Sequence, residues 1–150
     1  MIRKAVLNDS DFIYNAVKNF ADEGKMLYRS LNEIYENIRD YFVVEKNGQL
    51  IGCGALNICW KDLAEIKSLA IVLEWQGKGV GRLIVEKCMA EAKELGVKQV
   101  FVFTYQPDFF KKLGFKDEDK NNLPKKIWSD CIKCTKFSEC DENCLSILLS

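Results

Sequence analysis

The 150-residue sequence reads as a single mixed α/β domain of the α+β kind, spanning residues 1–150, on three grounds. Runs rich in β-branched and aromatic residues interleave with apolar stripes at helical spacing. Two of the β-rich runs are joined by Asn47-Gly48, the dipeptide most strongly associated with a tight hairpin. A further run passes through a glycine-rich turn directly into a helical stripe, giving a strand-turn-helix unit. With 48% hydrophobic and 29% charged residues, the chain carries enough apolar side chains for a full core.

Residues 2–6 form a short first strand, and Asn8, Asp9 and Ser10 offer caps for a helix whose buried stripe is Phe12, Ile13, Ala16, Val17 and Phe20. Gly24 ends it. Ser30 with Glu33 three residues later is a capping-box pattern, and Leu31, Ile34, Tyr35 and Ile38 line one face of a second helix running to about residue 40. Strands at 41–45 and 50–60 flank the Asn-Gly hairpin, and Lys61-Asp62 turns the chain into a strand at 64–72. From 79 to 95 the residues Val80, Leu83, Ile84, Cys88, Ala92 and Leu95 recur at helical spacing, with Gly96 as the C-terminal stop. A buried-type strand at 100–104 follows, then a short helix at 108–113 opened by Pro107. Gly114-Phe115 enters another strand, and 126–132 is the last strand expected before a cysteine-rich segment at 131–144.

Composition narrows the chemistry. Lys plus Arg (22) balances Asp plus Glu (22), so no basic surface for nucleic acid or anionic lipid is implied. The absence of histidine excludes Ser-His-Asp and Cys-His catalysis and histidine-ligated metals. Any acid or base must be Glu, Asp, Lys, Tyr, Cys or water. The N-terminus has no apolar run of a secretory signal and no stretch is long enough to span a membrane, so a soluble, cytoplasmic protein is expected. Of seven cysteines, Cys53, Cys59 and Cys88 sit in apolar patterns and read as core.

The segment that carries chemistry runs from Leu69 to Arg82, where Gly77, Gly79 and Gly81 separate a strand from a helix. Glycines this dense point to positive φ angles or close approach to a ligand, and a helix N-terminus binds phosphate through its unsatisfied N–H groups. The alternative on spacing alone is a glycine-rich surface loop. The loop lacks the Gly-Lys-Ser/Thr ending of an NTPase P-loop and the G-x-G-x-x-G spacing of dinucleotide folds.

It matches Q-x-x-G-x-G through Gln76, Gly79 and Gly81, and this resembles the acetyl-CoA pyrophosphate motif of the GNAT acetyltransferases. Phe109-Phe110-Lys111-Lys112-Leu113-Gly114-Phe115 is similar to the family's second signature. The resemblance implies the GNAT fold: a mixed, mostly antiparallel sheet with splayed middle strands, flanked by about four helices. It implies acetyl-CoA as cosubstrate, held by Leu69, Ala70 and Ile71 along pantetheine and by Gln76, Gly77, Lys78, Gly79, Val80, Gly81 and Arg82 at the pyrophosphate. No metal is implied for the chemistry, and a homodimer is compatible with it.

Acetyl transfer to an amine needs a base and usually a donor to the leaving thiolate. Glu65, at the start of the strand leading to the loop, is the leading base, on one face with Lys67 and Leu69 by alternation; an exposed strand glutamate is the alternative. The tyrosine that the family often uses as donor is replaced here by Phe110, so Tyr105 is taken as the substitute, its alternative role being packing. Nearly the whole chain further resembles the short amino-acid N-acetyltransferases of the N-acetylglutamate synthase type. The resemblance lies in Leu27-Tyr28-Arg29-Ser30, Gly52-Cys53-Gly54-Ala55-Leu56, residues 64–70, Thr104-Tyr105-Gln106-Pro107, residues 123–126 and 128–131. It implies a small-molecule acceptor, the α-amine of glutamate as in arginine biosynthesis, with Arg29 on a substrate carboxylate and Ser68 and Lys133 beside it. Other amines, or an acyl-CoA sensor without turnover, are the alternatives. Cys131, Cys134, Cys140 and Cys144 are read three ways: reduced thiols, a structural metal site, or a regulatory disulfide.

Overall fold

In the computed structural model, which describes residues 1–119, 122 and 143–149, the described residues build seven strands and four α-helices. They are β1 (Ile2–Lys4), α1 (Ser10–Asp22), α2 (Leu31–Glu36), β2 (Tyr41–Lys46), β3 (Gln49–Trp60) and β4 (Leu63–Ile71). Then follow α3 (Val80–Glu94), β5 (Gln99–Thr104), α4 (Pro107–Lys111), β6 (Lys116–Asp117) and β7 (Asn143–Leu148). The strands form one sheet in the order β1-β2-β3-β4-β5-β7-β6, antiparallel except for the β4–β5 pair. No helix among the described residues is long and apolar enough to cross a membrane.

Local chemistry explains most boundaries. Asn47 and Gly48 both take positive φ (53° and 77°), the pair of angles a two-residue hairpin demands, and Lys46 faces Gln49 across it. Ser30 caps α2 by accepting the Glu33 N–H at 3.1 Å. That helix stops at Glu36, short of the expected residue 40, because the Asn37 side chain donates to the Glu33 carbonyl (2.8 Å) and a 3-10 turn replaces the last stretch. Two differences are larger. β7 lies in a segment read only as a cysteine-rich tail, yet it inserts between β5 and β6 with Leu145 fully buried. The strand expected at 126–132 lies outside the described residues, as do Cys131, Lys133, Cys134 and Cys140.

Two apolar layers cover the sheet. On one face Ala64, Ile66, Val100 and Val102 pack with Ile84, Val85 and Cys88 of α3 and Phe110 of α4. On the other, Ile13 and Val17 of α1 and Ile34 of α2 cover Tyr41, Val43, Cys53 and Ala55. Farther along this second face Leu63, Phe101 and Cys144 form a smaller cluster, with Cys59 half-buried against it. Burial pushes the Cys53 and Cys88 thiols up to about 12, as expected of core cysteines.

One irregularity sets the site. Between Cys53 and Ala55 of β3, the partner strand runs from Ala70 to Lys67, so β4 carries one extra residue. Ser68 absorbs it at φ +58°, a left-handed conformation that costs a non-glycine residue about 1–3 kcal/mol. Its hydroxyl accepts from the Tyr41 O–H (3.3 Å), and its carbonyl accepts from the Cys53 thiol (3.5 Å). Because strand side chains alternate, the extra residue sends Leu69 and Ile71 to the α3 face while Glu65 and Lys67 stay on the α1/α2 face. The alternation read from sequence, which put Leu69 with Glu65, is corrected by this bulge.

The α3 face is packed closely enough that a Cβ on Gly54 would lie 2.6 Å from the Ile84 side chain. Gly54→Ala is therefore expected to lower stability by about 1–3 kcal/mol, read from chemical denaturation. At the other end of the sheet, Arg3 grips buried Asp9 through two hydrogen bonds (2.8 and 3.0 Å) and reaches Glu45 at 2.8 Å. This pair holds the Asp9 carboxyl below its ordinary range, so it stabilises the fold above about pH 4 and the contribution is lost as pH falls through the depressed value. Asp9→Asn is expected to be destabilised at neutral pH by about 2–4 kcal/mol. Its thermal midpoint should also vary less than wild type between about pH 5 and pH 2.

Candidate active site

Parallel pairing of β4 with β5 joins Leu63 to Gln99, Ala64 to Val100 and Glu65 to Phe101, then stops, although β4 continues to Ile71 and β5 to Thr104. A cavity of about 480 Å3 opens where the strands part. Its walls come from both faces of the sheet. Ile66, Leu69, Val102 and Phe110 belong to the α3 side; Glu65, Lys67 and Phe103 to the other, where Phe20, Met26, Leu27 and Arg29 close over it. The opening therefore passes through the sheet.

At the α3 end lies the glycine loop. Gly77 and Gly79 take φ of +75° and +88°, and a Cβ at either would meet nothing within 4 Å, so backbone conformation and not packing requires glycine there. Gln76 closes the loop from within, its side-chain amide donating to the Ile71 carbonyl at 3.0 Å. Gly79 is the N-cap of α3 and has no side chain to satisfy the helix end; Leu83 makes the first helical hydrogen bond, to the Gly79 carbonyl. The preceding N–H groups of Val80, Gly81 and Arg82 face outward from a 15-residue helix with no acidic residue in its first turn. That end fits a diphosphate. Gly81 serves a second purpose, since a Cβ there would approach the Phe109 ring at 3.2 Å.

Of the residues read as cofactor-binding, Leu69, Ile71, Gln76, Gly77, Gly79, Gly81 and Arg82 line the cavity. Ala70, Lys78 and Val80 do not. Ala70 is buried in the α1/α2 layer, Val80 in the α3 layer, and the Lys78 ammonium sits 5.2 Å over the Trp75 ring.

At the other end, Glu65, Arg29 and Ser68 come together from β4 and from the connection between α1 and α2. Glu65 is half-buried. The Arg29 side chain is 11% exposed and lies 3.4 Å from the Glu33 carboxylate, so it is not the solvated helix-start residue that its sequence position allows. The half-buried Tyr105 also lines the cavity. Phe110 is 3% exposed and packs edge-on to Phe109 and Phe115, an aromatic core position with no proton to give. Lys133 lies outside the described residues.

Several lining residues are not among the site residues expected from the sequence, Thr104, Lys67 and Lys25 among them. Thr104, the last residue of β5, is buried, and its hydroxyl accepts the Gln106 N–H at 2.8 Å while keeping its own proton to donate. Lys67 could have been found from its spacing of two from Glu65 on one strand face. Lys25 is brought in by the α1–α2 connection, which no local pattern specifies. No described cysteine lines the cavity, and among the described residues no three His, Cys, Asp or Glu side chains gather as a metal site.

Comparison with known proteins bears on the family and the fold. Residues 37–117 match the acetyltransferase (GNAT) domain family. The chain is 47% identical to an uncharacterized N-acetyltransferase of Chlorobaculum tepidum, over 94% of this chain and 91% of that protein. It is 31% identical to an amino-acid acetyltransferase of Mycobacterium tuberculosis, over 87% and 76%. In fold it superimposes on N-acetylglutamate synthase of Neisseria gonorrhoeae, solved with coenzyme A and N-acetyl-glutamate, with a TM-score of 0.90 at 24% identity; all of this chain matches 35% of that one.

Gly79→Val, which forces a β-branched residue into the left-handed region, is expected to weaken coenzyme A binding at least about tenfold in calorimetry, with circular dichroism retained. Unchanged affinity would remove the loop from the binding site.

Proposed function

The chain belongs to the GNAT acetyltransferase family and is an acyltransferase that uses acetyl-CoA as cosubstrate. From that premise we propose that it acetylates the α-amine of an amino acid, glutamate foremost, as the acetylation step of arginine biosynthesis, by direct transfer in a ternary complex. The observation that carries this reading is a cavity walled from both faces of the sheet, which gives thioester and amine separate entrances to one point. The kinship with amino-acid acetyltransferases supports the acceptor class.

In this reading the pyrophosphate rests on the N–H groups that open α3, and the pantetheine arm follows β4 past Leu69 and Ile71 to the parting of the strands. The acceptor enters from the α1/α2 face. Glu65 takes a proton from its ammonium, directly or through water, and the freed nitrogen attacks the thioester carbonyl. Collapse of the tetrahedral intermediate breaks the carbon–sulfur bond and releases coenzyme A thiolate, while the nitrogen gives its second surplus proton to water to leave the neutral amide. The end of β5 returns a proton to the thiolate, through Tyr105 or the neighbouring Thr104 hydroxyl. Arg29 holds the α-carboxylate of the acceptor, for which a planar guanidinium is suited, with Ser68 beside it. Direct transfer fits the cysteines, since the described ones lie outside the cavity and burial raises the Cys53 and Cys88 thiols far above the range of a nucleophile.

Thiol release from acetyl-CoA with a panel of amino acids and polyamines tests the reading. Glutamate is expected to give the highest kcat/KM, and turnover confined to polyamines would overturn the acceptor assignment. Glu65→Gln is expected to lower kcat about 100-fold or more at neutral pH, with partial recovery as pH rises and free amine becomes available. Arg29→Ala should raise KM for the amino acid at least about tenfold and leave that for acetyl-CoA within about twofold. If neither Tyr105→Phe nor Thr104→Val lowers kcat, the proton donor is not at the end of β5.

A further inference from the structure

Lys67 is the cation best placed to read the side chain of the acceptor. It follows Glu65 by two residues on β4, on the same face and about 7 Å along the strand. Both line the cavity, and Lys67 is half-buried there. Directly across the ladder stands Ala55, a buried residue of the α1/α2 layer. Glu65 and Lys67 share this face by ordinary strand alternation, and the bulge at Ser68, immediately beyond, turns Leu69 to the thioester side. Arg29 approaches the same space from the opposite wall. The acceptor half of the cavity thus sets one carboxylate, Glu65, among three cations, Lys67 on β4 and Lys25 and Arg29 on the α1–α2 connection, of which Lys67 alone shares a strand face with Glu65.

An α-amino acid holds its α-carboxylate one carbon from the amine, so with the amine at Glu65 that carboxylate must stay close to the base. A side-chain carboxylate two or three carbons farther out is displaced by a distance comparable to one pleat of β4. We infer that Lys67 binds the side-chain carboxylate of a dicarboxylic amino acid while Arg29 binds the α-carboxylate, making Lys67 the residue that selects acidic over neutral acceptors. This rests on the acetyl-transfer reading above and adds to it a determinant of specificity. Burial raises the Asp40 carboxyl above its ordinary range, and the Asn57 amide and then the Lys67 ammonium draw it partly back, so Asp40 lies within electrostatic reach of Lys67. Asp40 is itself held by the Asn57 amide at 3.2 Å.

The test compares wild type, Lys67→Met and Lys67→Arg in thiol release with glutamate, glutamine and leucine, alongside coenzyme A affinity by calorimetry. Lys67→Met preserves the length of the aliphatic stem and removes the charge. Its kcat/KM for glutamate is expected to fall about 10- to 100-fold while that for glutamine changes less than about threefold, with coenzyme A affinity unchanged and most of the glutamate preference restored by Lys67→Arg. An equal loss on glutamate and glutamine would overturn the inference and place Lys67 at the α-carboxylate or in the fold. An unchanged glutamate preference would also overturn it. A wild-type enzyme that turns over no amino acid would instead defeat the reading on which the inference stands.

Discussion

Backbone pairing between β4 and β5 lasts only as far as Glu65 and Phe101, and every functional feature of the molecule depends on that early stop. Had the two parallel strands stayed paired to their ends, the sheet would be continuous and each face would have its own isolated core. Because they part, the α3 layer and the α1/α2 layer communicate through a gap lined by both apolar and polar side chains. The unpaired backbone along β4 also becomes a surface on which an extended substrate arm can lie. The strand edges are thereby given a use, where an open edge elsewhere would be a liability.

The bulge at Ser68 decides what faces that gap. One extra residue reverses the inside–outside pattern of β4 at its midpoint, so one strand presents Glu65 and Lys67 to one entrance and Leu69 and Ile71 to the other. A regular strand would have placed acid, base and apolar groups all on one side. The strain at Ser68 is held by the buried Tyr41 hydroxyl and by the packing of Cys53 and Ala55 beneath it. The glycine loop follows a few residues on, so the position of the helix end and the positions of Glu65 and Lys67 are set by the same strand.

The parts of this arrangement that were legible in the sequence are those governed by local chemistry. Asn47-Gly48 specifies the hairpin by its positive φ angles, and Gly77 and Gly79 specify the loop before α3 in the same way. Pro107 opens α4, and Gly96 closes α3. What escaped is non-local. The Ser68 bulge depends on the register between two strands and leaves no trace in alternation, so Leu69 was expected on the wrong face. β7 is stabilised by β5 and β6, far away in sequence, and its Cys144 was drawn into a thiol cluster by spacing alone. Arg29, Glu65 and Tyr105 were each found one at a time, and only the fold brings them to one cavity together with Thr104 and Lys67.

The proposed mechanism is direct transfer, with amine and thioester present together and no acetylated enzyme between them. The most direct test is the exchange of isotopically labelled coenzyme A into acetyl-CoA when no acceptor is present. An enzyme of this design should give no exchange above background, because the thiol leaves only when an amine has attacked. Exchange at a rate comparable to turnover would require a covalent acetyl-enzyme and would contradict the account.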